Sequence, residues 1–387
     1  MDIKLTENCT GCFACQAICA QGAITCIRDE KGFYKPLINE TKCVGCGACM
    51  KVCPQEVRIN FREPINAYVA IAKEKKVLAQ CSSGGAFGVF ANYVLENGGA
   101  VGGCRLEDGK TARQVIVEDP EELPQLYGSK YVQSCADGYI KHLRKLARGG
   151  RQLLVCGTPC QINGAKQIIG DKANVIYVDF ICHGVTSSGL LAHHLSAYEK
   201  KNHCSVTNLN FRSKEKTPWG VFCAKYTRRD ENPDYLKGSV DPYYATFLGM
   251  NAYSDSCYTC PYSQRLRASD ITIGDAWGCE AYCSEEINQN RAGGVSCIIV
   301  NSEKGSEFMK QVLDRFMDEE VPYDNVVQFQ KNLHEPSKRS QACFYDKNIE
   351  DSAYYLKKMK DQIKLKDKLK GLVPMATVEK IKKLIRR

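Results

Sequence analysis

Eight cysteines within the first fifty-four residues are spaced for metal chemistry. "CTGCFACQAIC" (9–19) and "CVGCGACMKVCP" (43–54) both read C-x2-C-x2-C-x3-C, so Cys9, Cys12, Cys15 and Cys19 recur thirty-four positions later as Cys43, Cys46, Cys49 and Cys53. Three thiolates crowded on one loop suit the corner of a four-iron cubane, and in two-cluster ferredoxins the fourth cysteine of each run ligates the other cluster. The expected sets are Cys9, Cys12, Cys15 with Cys53, and Cys43, Cys46, Cys49 with Cys19. The first run ends Cys19-Ala20 in place of Cys-Pro, with every sulfur still present. Four-cysteine zinc sites are the other reading of such spacing. Cys26, in the alternating stretch "ITCIRDEKGFYKPLI" (24–38), reads as a strand residue.

A second group of thiols lies downstream in "GTPCQ" (157–161), "ICHG" (181–184) and "CYTCPY" (257–262). Cys160, Cys182, Cys257 and Cys260 make four, the number a third cluster needs. Zinc, or plain core cysteines, would also account for them, and Cys156, Cys279 and Cys283 compete as ligands. Ahead of them, "CSSGGAFG" (81–88) sets Ser82, Ser83, Gly84 and Gly85 before an apolar helical pattern. Hydroxyls and bare amides at a helix start form an anion site suited to the phosphates of a dinucleotide. A serine N-cap alone would read the same way, and the loop is neither a Walker sequence nor G-x-G-x-x-G.

These loops must hang from regular elements. "AYVAIA" (67–72), "AVGGCRL" (100–106), "RQLLVCG" (151–157) and "NVIYVDFICHG" (174–184) read as strands; "GGAFGVFANYVLENGG" (84–99) and "DGYIKHLRKLARGG" (137–150) read as helices with glycine stops. Such alternation predicts a parallel or mixed sheet packed by helices, with ligands bound at the strand ends.

The length of 387 residues fits two or three domains. A ferredoxin unit of about sixty residues has too small a core to stand without its metal. Twenty-three cysteines in metal-type spacings, without a signal peptide, point to a reducing cytoplasm and away from disulfides. No apolar run reaches the ~18 residues of a membrane span. The net charge of +9 sits almost wholly in residues 351–387, which hold twelve Lys/Arg and four Asp/Glu, so nucleic acid is not an expected partner. "MATVEKIKKLIRR" (375–387) predicts a helix with Met375, Val378, Ile381, Leu384 and Ile385 on one face. It reads as a packed terminal helix, or as a docking face for an acidic redox protein or an anionic membrane surface.

Eight ordered segments together resemble the coenzyme F420 hydrogenase/dehydrogenase beta-subunit family: "SSGGAFG", "GGAVGG" (98–103), "GSKYVQS" (128–134), "LLVCGTPCQI" (153–162), "VDFICHGV" (178–185), "FRSKEKTPWG" (211–220), "CYTCPY" and "SDITIGDAWG" (269–278). The resemblance spans roughly residues 65–300. It implies a two-cluster 4Fe–4S ferredoxin domain (1–62), a mixed-sheet α/β domain carrying FAD and a 4Fe–4S cluster (63–335), and a short basic helical tail (336–387). By that resemblance Ser83, Gly84 and Gly85, with Ser82 beside them, hold the FAD phosphates. Ser129 and Lys130 line the flavin, Gly157, Thr158 and Pro159 pass close to its ring, and Cys160, Cys182, Cys257 and Cys260 ligate the third cluster. His183 reads as a structural imidazole, and Asp275 and Trp277 as braces. The implied activity is an iron–sulfur flavoprotein oxidoreductase working between a ferredoxin- or flavodoxin-like carrier and F420 or another conjugated acceptor, in either direction. A relay subunit feeding a partner enzyme, or a flavin-dependent reductase of a glycan or natural-product pathway without F420, shares the same motifs. Neither the substrate nor the oligomeric state is written in the sequence.

Overall fold

The computed structural model describes residues 8–57, 59–230, 232–339 and 343–365. The N-terminal unit is two cysteine loops around a hairpin. Helix α1 (Ala14–Ile18), strands β1 (Ile24–Arg28) and β2 (Tyr34–Ile38), paired antiparallel, and helix α2 (Ala48–Lys51) follow in order. The thirty-four-residue repeat extends to the backbone. Gly11 and Phe13 have φ of 70° and 61°, and their counterparts Gly45 and Gly47 have 68° and 70°. Left-handed residues turn each loop back on its own cysteines. Phe13 adopts that region without being glycine, and its ring is buried at 2 % exposure.

An eight-stranded mixed sheet follows, built from β3 (Asn66–Ala72), β4 (Ala100–Glu107), β5 (Thr111–Val117), β6 (Leu153–Gly157) and β7 (Val175–Phe180). A separate three-stranded antiparallel sheet of β8 (Val206–Asn210), β9 (Cys223–Arg228) and β10 (Asp234–Lys237) intervenes. The large sheet is then completed by β11 (Ile271–Asp275), β12 (Ser296–Val300) and β13 (Phe316–Glu320), giving the order β13-β3-β12-β11-β7-β6-β4-β5. Its centre, β11-β7-β6-β4, is parallel, and its flanks are antiparallel. The continuous apolar runs of β6 and β7 are those of strands covered on both faces, and Leu153, Leu154, Val175, Tyr177 and Val178 are fully buried.

Helices α3 (Lys75–Gln80) and α4 (Ala86–Glu96) follow β3, α5 (Tyr139–Arg148) precedes β6, and α6 (Pro159–Ile169) joins β6 to β7. Helices α7 (Ser188–Asn202), α8 (Pro242–Leu248) and α9 (Asp255–Tyr258) surround the small sheet. The strands and helices read between residues 67 and 184 are all present. Beyond them, Phe344, Tyr345, Ile349 and, from the helix Ser352–Asp361, Tyr355 and Met359 are buried in the core of the small sheet with α7 and α8. This stretch of the C-terminal segment therefore packs on the body. The helix expected over 375–387 lies outside the described residues. No described helix is long and apolar enough to cross a membrane.

Candidate functional site

The topology sends the chemistry to one edge. The parallel strands β6, β7 and β11 end at Gly157, Phe180 and Asp275, and Thr158, Cys182 and Trp277 follow at once. Strand β3 ends at the same edge, because Ala70 faces Ser296 and Ser296 faces Asp275. The Ser82–Gly85 turn therefore lies among the carboxyl ends of the sheet, where ligands bind in open α/β folds.

The N-terminal loops bring their cysteines together in the crossed sense. One pocket is lined by Cys9, Cys12, Cys15 and Cys53, with Phe13, Pro36 and Pro54 around them. Burial pushes the Cys15 thiol up to about 12, with repulsion from Cys9, Cys53 and Cys49 adding to it. In the second set, Cys49 is repelled by Cys43 and Cys46, and Cys19 packs against Cys49, Cys15 and Ile24. Cys46 and Val44 stand at the surface, Val44 at 66 % exposure.

Four further thiols converge beyond β6 and β7. The Cys182 thiol is raised by burial and then by Cys257, Cys160 and Cys260; Cys257 rises to about 12 from burial, with Cys160 and Cys260 contributing. Cys160 begins α6, with Pro159 at the first helical position, and its sulfur lies 3.1 Å from Thr158 Oγ1. The competing thiols are elsewhere. Cys156 faces Asp179, Lys130 and Cys104, and Cys279 and Cys283 hydrogen-bond with each other.

The convergent set adjoins the N-terminal unit. Cys12 is repelled by Cys160, and a Cβ on Gly164 of α6 would lie 2.8 Å from Cys12 Sγ. Tyr262 is acted on by Cys160, Cys12 and Cys260, and its hydroxyl accepts from Asn163 Nδ2 at 2.9 Å. Gln133 fastens the contact like a strand residue: it accepts from Tyr34 N at 2.6 Å and donates to Tyr34 O at 3.1 Å.

At the serine turn, Ser129 N donates to Ser82 Oγ at 2.8 Å and Ser83 Oγ donates to Val295 O at 2.7 Å. The glycines differ from the open cradle expected of them. A Cβ on Gly84 would strike Ala70 O and Ser296 N, and one on Gly85 would meet Ala72 Cβ at 2.8 Å. Their small size lets the turn lie flat on the sheet. The amides of Ser82, Ser83, Gly84 and Gly85 have no protein acceptor among the described residues.

Two ammonium groups flank this turn. Lys214 Nζ donates to Leu78 O, Ser83 O and Gly293 O at 2.6, 2.9 and 2.5 Å. Lys130 Nζ donates to Gln125 O, Leu126 O and Tyr127 O at 3.3, 2.9 and 2.7 Å. Every partner is a carbonyl, and burial holds both lysines down at about 8. Nearby, Arg212 is neutralised by a two-pronged pair with Asp275 at 3.0 and 3.1 Å and donates to Ser82 O at 3.4 Å. Asp275 also accepts from Trp219 Nε1 at 2.8 Å, and the Trp219 and Trp277 rings stack at 5.1 Å, which is the bracing expected of Asp275 and Trp277. The His183 side chain reaches solvent, and the protein packed around it still pushes its imidazole toward neutrality; its carbonyl accepts from Ser337 Oγ at 2.6 Å. Lys214, Arg212 and Gln133 had no role assigned from sequence. All three lie inside recognisable motifs, but their partners are 79 to 136 positions away for Lys214 and 99 for Gln133.

Residues 150–325 match the family model for the C terminus of the coenzyme F420 hydrogenase/dehydrogenase beta subunit. Residues 8–57 and 35–86 match models of 4Fe–4S dicluster domains. No curated protein matches the chain. Among solved structures, a chain of the F420-reducing NiFe hydrogenase complex from Methanosarcina barkeri is similar at 16 % identity, over 73 % of this chain and 99 % of that one, with a TM-score of 0.45.

Proposed function

Because residues 150–325 belong to the F420 hydrogenase/dehydrogenase beta-subunit family and follow a 4Fe–4S dicluster domain, we propose that the chain is an FAD-dependent iron–sulfur oxidoreductase. It works between a one-electron carrier of the ferredoxin or flavodoxin kind and a conjugated acceptor such as coenzyme F420. The observation that carries this reading is the meeting of Cys160, Cys182, Cys257 and Cys260 at the carboxyl edge of the sheet, beside Cys12.

In this reading Cys9, Cys12, Cys15 and Cys53 hold one cluster, Cys43, Cys46, Cys49 and Cys19 a second, and the convergent four a third. The donor set fits, since thiolates are the ligands of such clusters and the first four already line a common pocket. FAD fits the serine turn for a separate reason. Lys130 and Lys214 are charged groups without a carboxylate partner, and the turn between them carries free amides. Burying a cation without a counter-anion is unfavourable, so the place calls for a phosphate or an anionic ring. When bound, a flavin accepts and gives electrons singly or in pairs, which couples one-electron clusters to hydride chemistry. Ser82 and Ser129 would orient it, Lys130 and Lys214 offset its charge, and Gly157, Thr158 and Pro159 border it at the end of β6.

The reading is tested on protein prepared without oxygen. It should carry about twelve iron atoms and one non-covalent FAD, and should reduce a deazaflavin or another conjugated acceptor when supplied with reduced ferredoxin. Zinc in place of iron, or iron without flavin, overturns it.

A further inference from the structure

The N-terminal unit and the α/β domain each bring to their interface one thiol that no proposed cluster set uses. Cys26 lies in β1, with its backbone fixed opposite Pro36 of β2. Cys135 is fixed against β5: its N–H donates to Ala112 O at 2.9 Å and its carbonyl accepts from Gln114 N at 2.8 Å. The two sulfurs are 3.9 Å apart across 109 residues of sequence. Arg113 Nη1 lies 3.7 Å from Cys135 Sγ. Cys135 is buried, while Cys26 is partly open to solvent.

Arg113 pairs with Glu107 at 2.8 Å and also reaches the two thiols. Either sulfur can donate to the other; their hydrogen bond lowers Cys135, helped by the Asp137 amide and by Arg113 and opposed by burial and the Asp137 carboxylate. Cys26 is raised in return, so the two sulfurs share one proton. A thiolate beside a resolving thiol is the arrangement of a redox-active pair.

We propose that Cys26 and Cys135 form a reversible disulfide, with a peroxide as oxidant, that ties hairpin β1–β2 of the iron–sulfur unit to the α/β domain. The Cys135 thiolate attacks one peroxide oxygen; the O–O bond breaks, hydroxide leaves, and Cys135 becomes a sulfenic acid. The Cys26 sulfur then attacks the Cys135 sulfur, the S–O bond breaks, and the hydroxyl leaves as water with the Cys26 proton. Two sulfurs lose two electrons and the peroxide gains them; a dithiol reverses the step by exchange. The bond fixes the unit in the pose that sets Cys12 against Gly164. This site goes beyond the proposed activity and rests on neither the flavin nor the third cluster.

The test uses the full-length, cluster-loaded protein, treated without oxygen with stoichiometric hydrogen peroxide and, in parallel, with diamide. Free thiols are then alkylated, the protein is digested with trypsin, and the peptides are sequenced by mass spectrometry, with iron assayed in the same samples. The expected result is the loss of two alkylatable thiols per chain, a peptide pair joined through Cys26 and Cys135, restoration by dithiothreitol, and unchanged iron. In Cys26→Ser the joined pair should vanish, and oxidation of Cys135 should go no further than the sulfenic acid, the two-electron level that one equivalent of peroxide supplies. Full alkylation of Cys135 after both oxidants overturns the proposal. So does a bond from Cys135 to Cys9, Cys12, Cys15 or Cys19 at the same level in Cys26→Ser.

Discussion

At the scale of single residues, two groups carry the site, and each makes a separable prediction. Cys257 lies in the short helix α9, away from β6 and β7, so its removal disturbs the sheet little. Cys257→Ala should lower iron from about twelve to about eight atoms per chain while the flavin stays. Unchanged iron would remove Cys257 from the ligand set. Lys130 and Lys214 make the second prediction, through pH. Both sit near 8 in the folded protein against an ordinary 10.5, so between those values the unfolded chain binds more protons than the native one. The flavin-free protein should therefore gain stability from these lysines as pH rises from about 8 to 10.5, with the destabilising burial of charge fully present below 8. Flavin affinity should move the opposite way, because the anion is held by the protonated forms. Titration of FAD at pH 7 and pH 9.5, beside denaturant unfolding of the flavin-free protein, reads both slopes; affinity that does not change would detach the lysines from the phosphates. Gly84 is a poor probe of the same question. Any side chain there strikes Ala70 and Ser296, so flavin loss in Gly84→Asp would report a broken turn. Ser129→Asp puts the charge at the corner with less obstruction and should empty the site, whereas Ser129→Ala should not.

At the scale of elements, what was legible in the sequence had a local cause. The repeated cysteine spacing showed the loops because a cubane demands three sulfurs within one turn of chain. A continuous apolar run ending at glycine showed β6, which is covered on both faces, and the one-faced apolar pattern stopped by glycine showed α5. The docking of the two units was not legible. It depends on Gln133 reaching Tyr34 and on Gly164 of α6 meeting Cys12, and both residues look ordinary in their own segments. Cys26 illustrates the same limit: it is a strand residue as expected, yet its sulfur faces Cys135 of the other domain. Gly164 gives this scale its prediction. A Cβ there would sit 2.8 Å from Cys12 Sγ, so Gly164→Val must push α6 and the first cysteine loop apart. Overpacking of this kind destabilises by about 1–3 kcal/mol, and the wider gap should slow reduction of the flavin through the N-terminal unit. Flavin content should hold, since Gly164 lies in the second turn of α6, away from Thr158 and Pro159 at its start. Stopped-flow reduction by ferredoxin, set against thermal unfolding, separates the two effects; an unchanged rate in a destabilised variant would take the Cys12–Cys160 contact off the electron path.

At the scale of the whole molecule, the sets of thiols form a line from the surface inward. Cys46 stands exposed in the outer set, Cys12 is buried against α6, and Cys160 and Cys182 follow the carboxyl ends of β6 and β7. In the proposed function, a protein carrier would approach at the outer end, where Cys46 is exposed. The N-terminal unit exposes three apolar side chains, Val44 at 66 %, Leu37 at 51 % and Ile27 at 38 %. Leu37 and Ile27 belong to the paired strands of one hairpin, in the registers Thr25–Leu37 and Ile27–Lys35. An apolar centre in a small contact patch suits a transient redox encounter, where a few buried side chains carry the binding. Burying a valine side chain contributes about 1.5 kcal/mol, close to the ~1.4 kcal/mol that changes affinity tenfold. Val44→Asp should therefore raise the KM for a reduced ferredoxin about tenfold. Dithionite, a small reductant that needs no docking patch, should reduce the variant as fast as the parent protein, and the iron content should be the same. If both reductants slow together, Val44 is supporting the outer cluster loop; if neither slows, the carrier docks somewhere other than the end where Cys46 meets solvent.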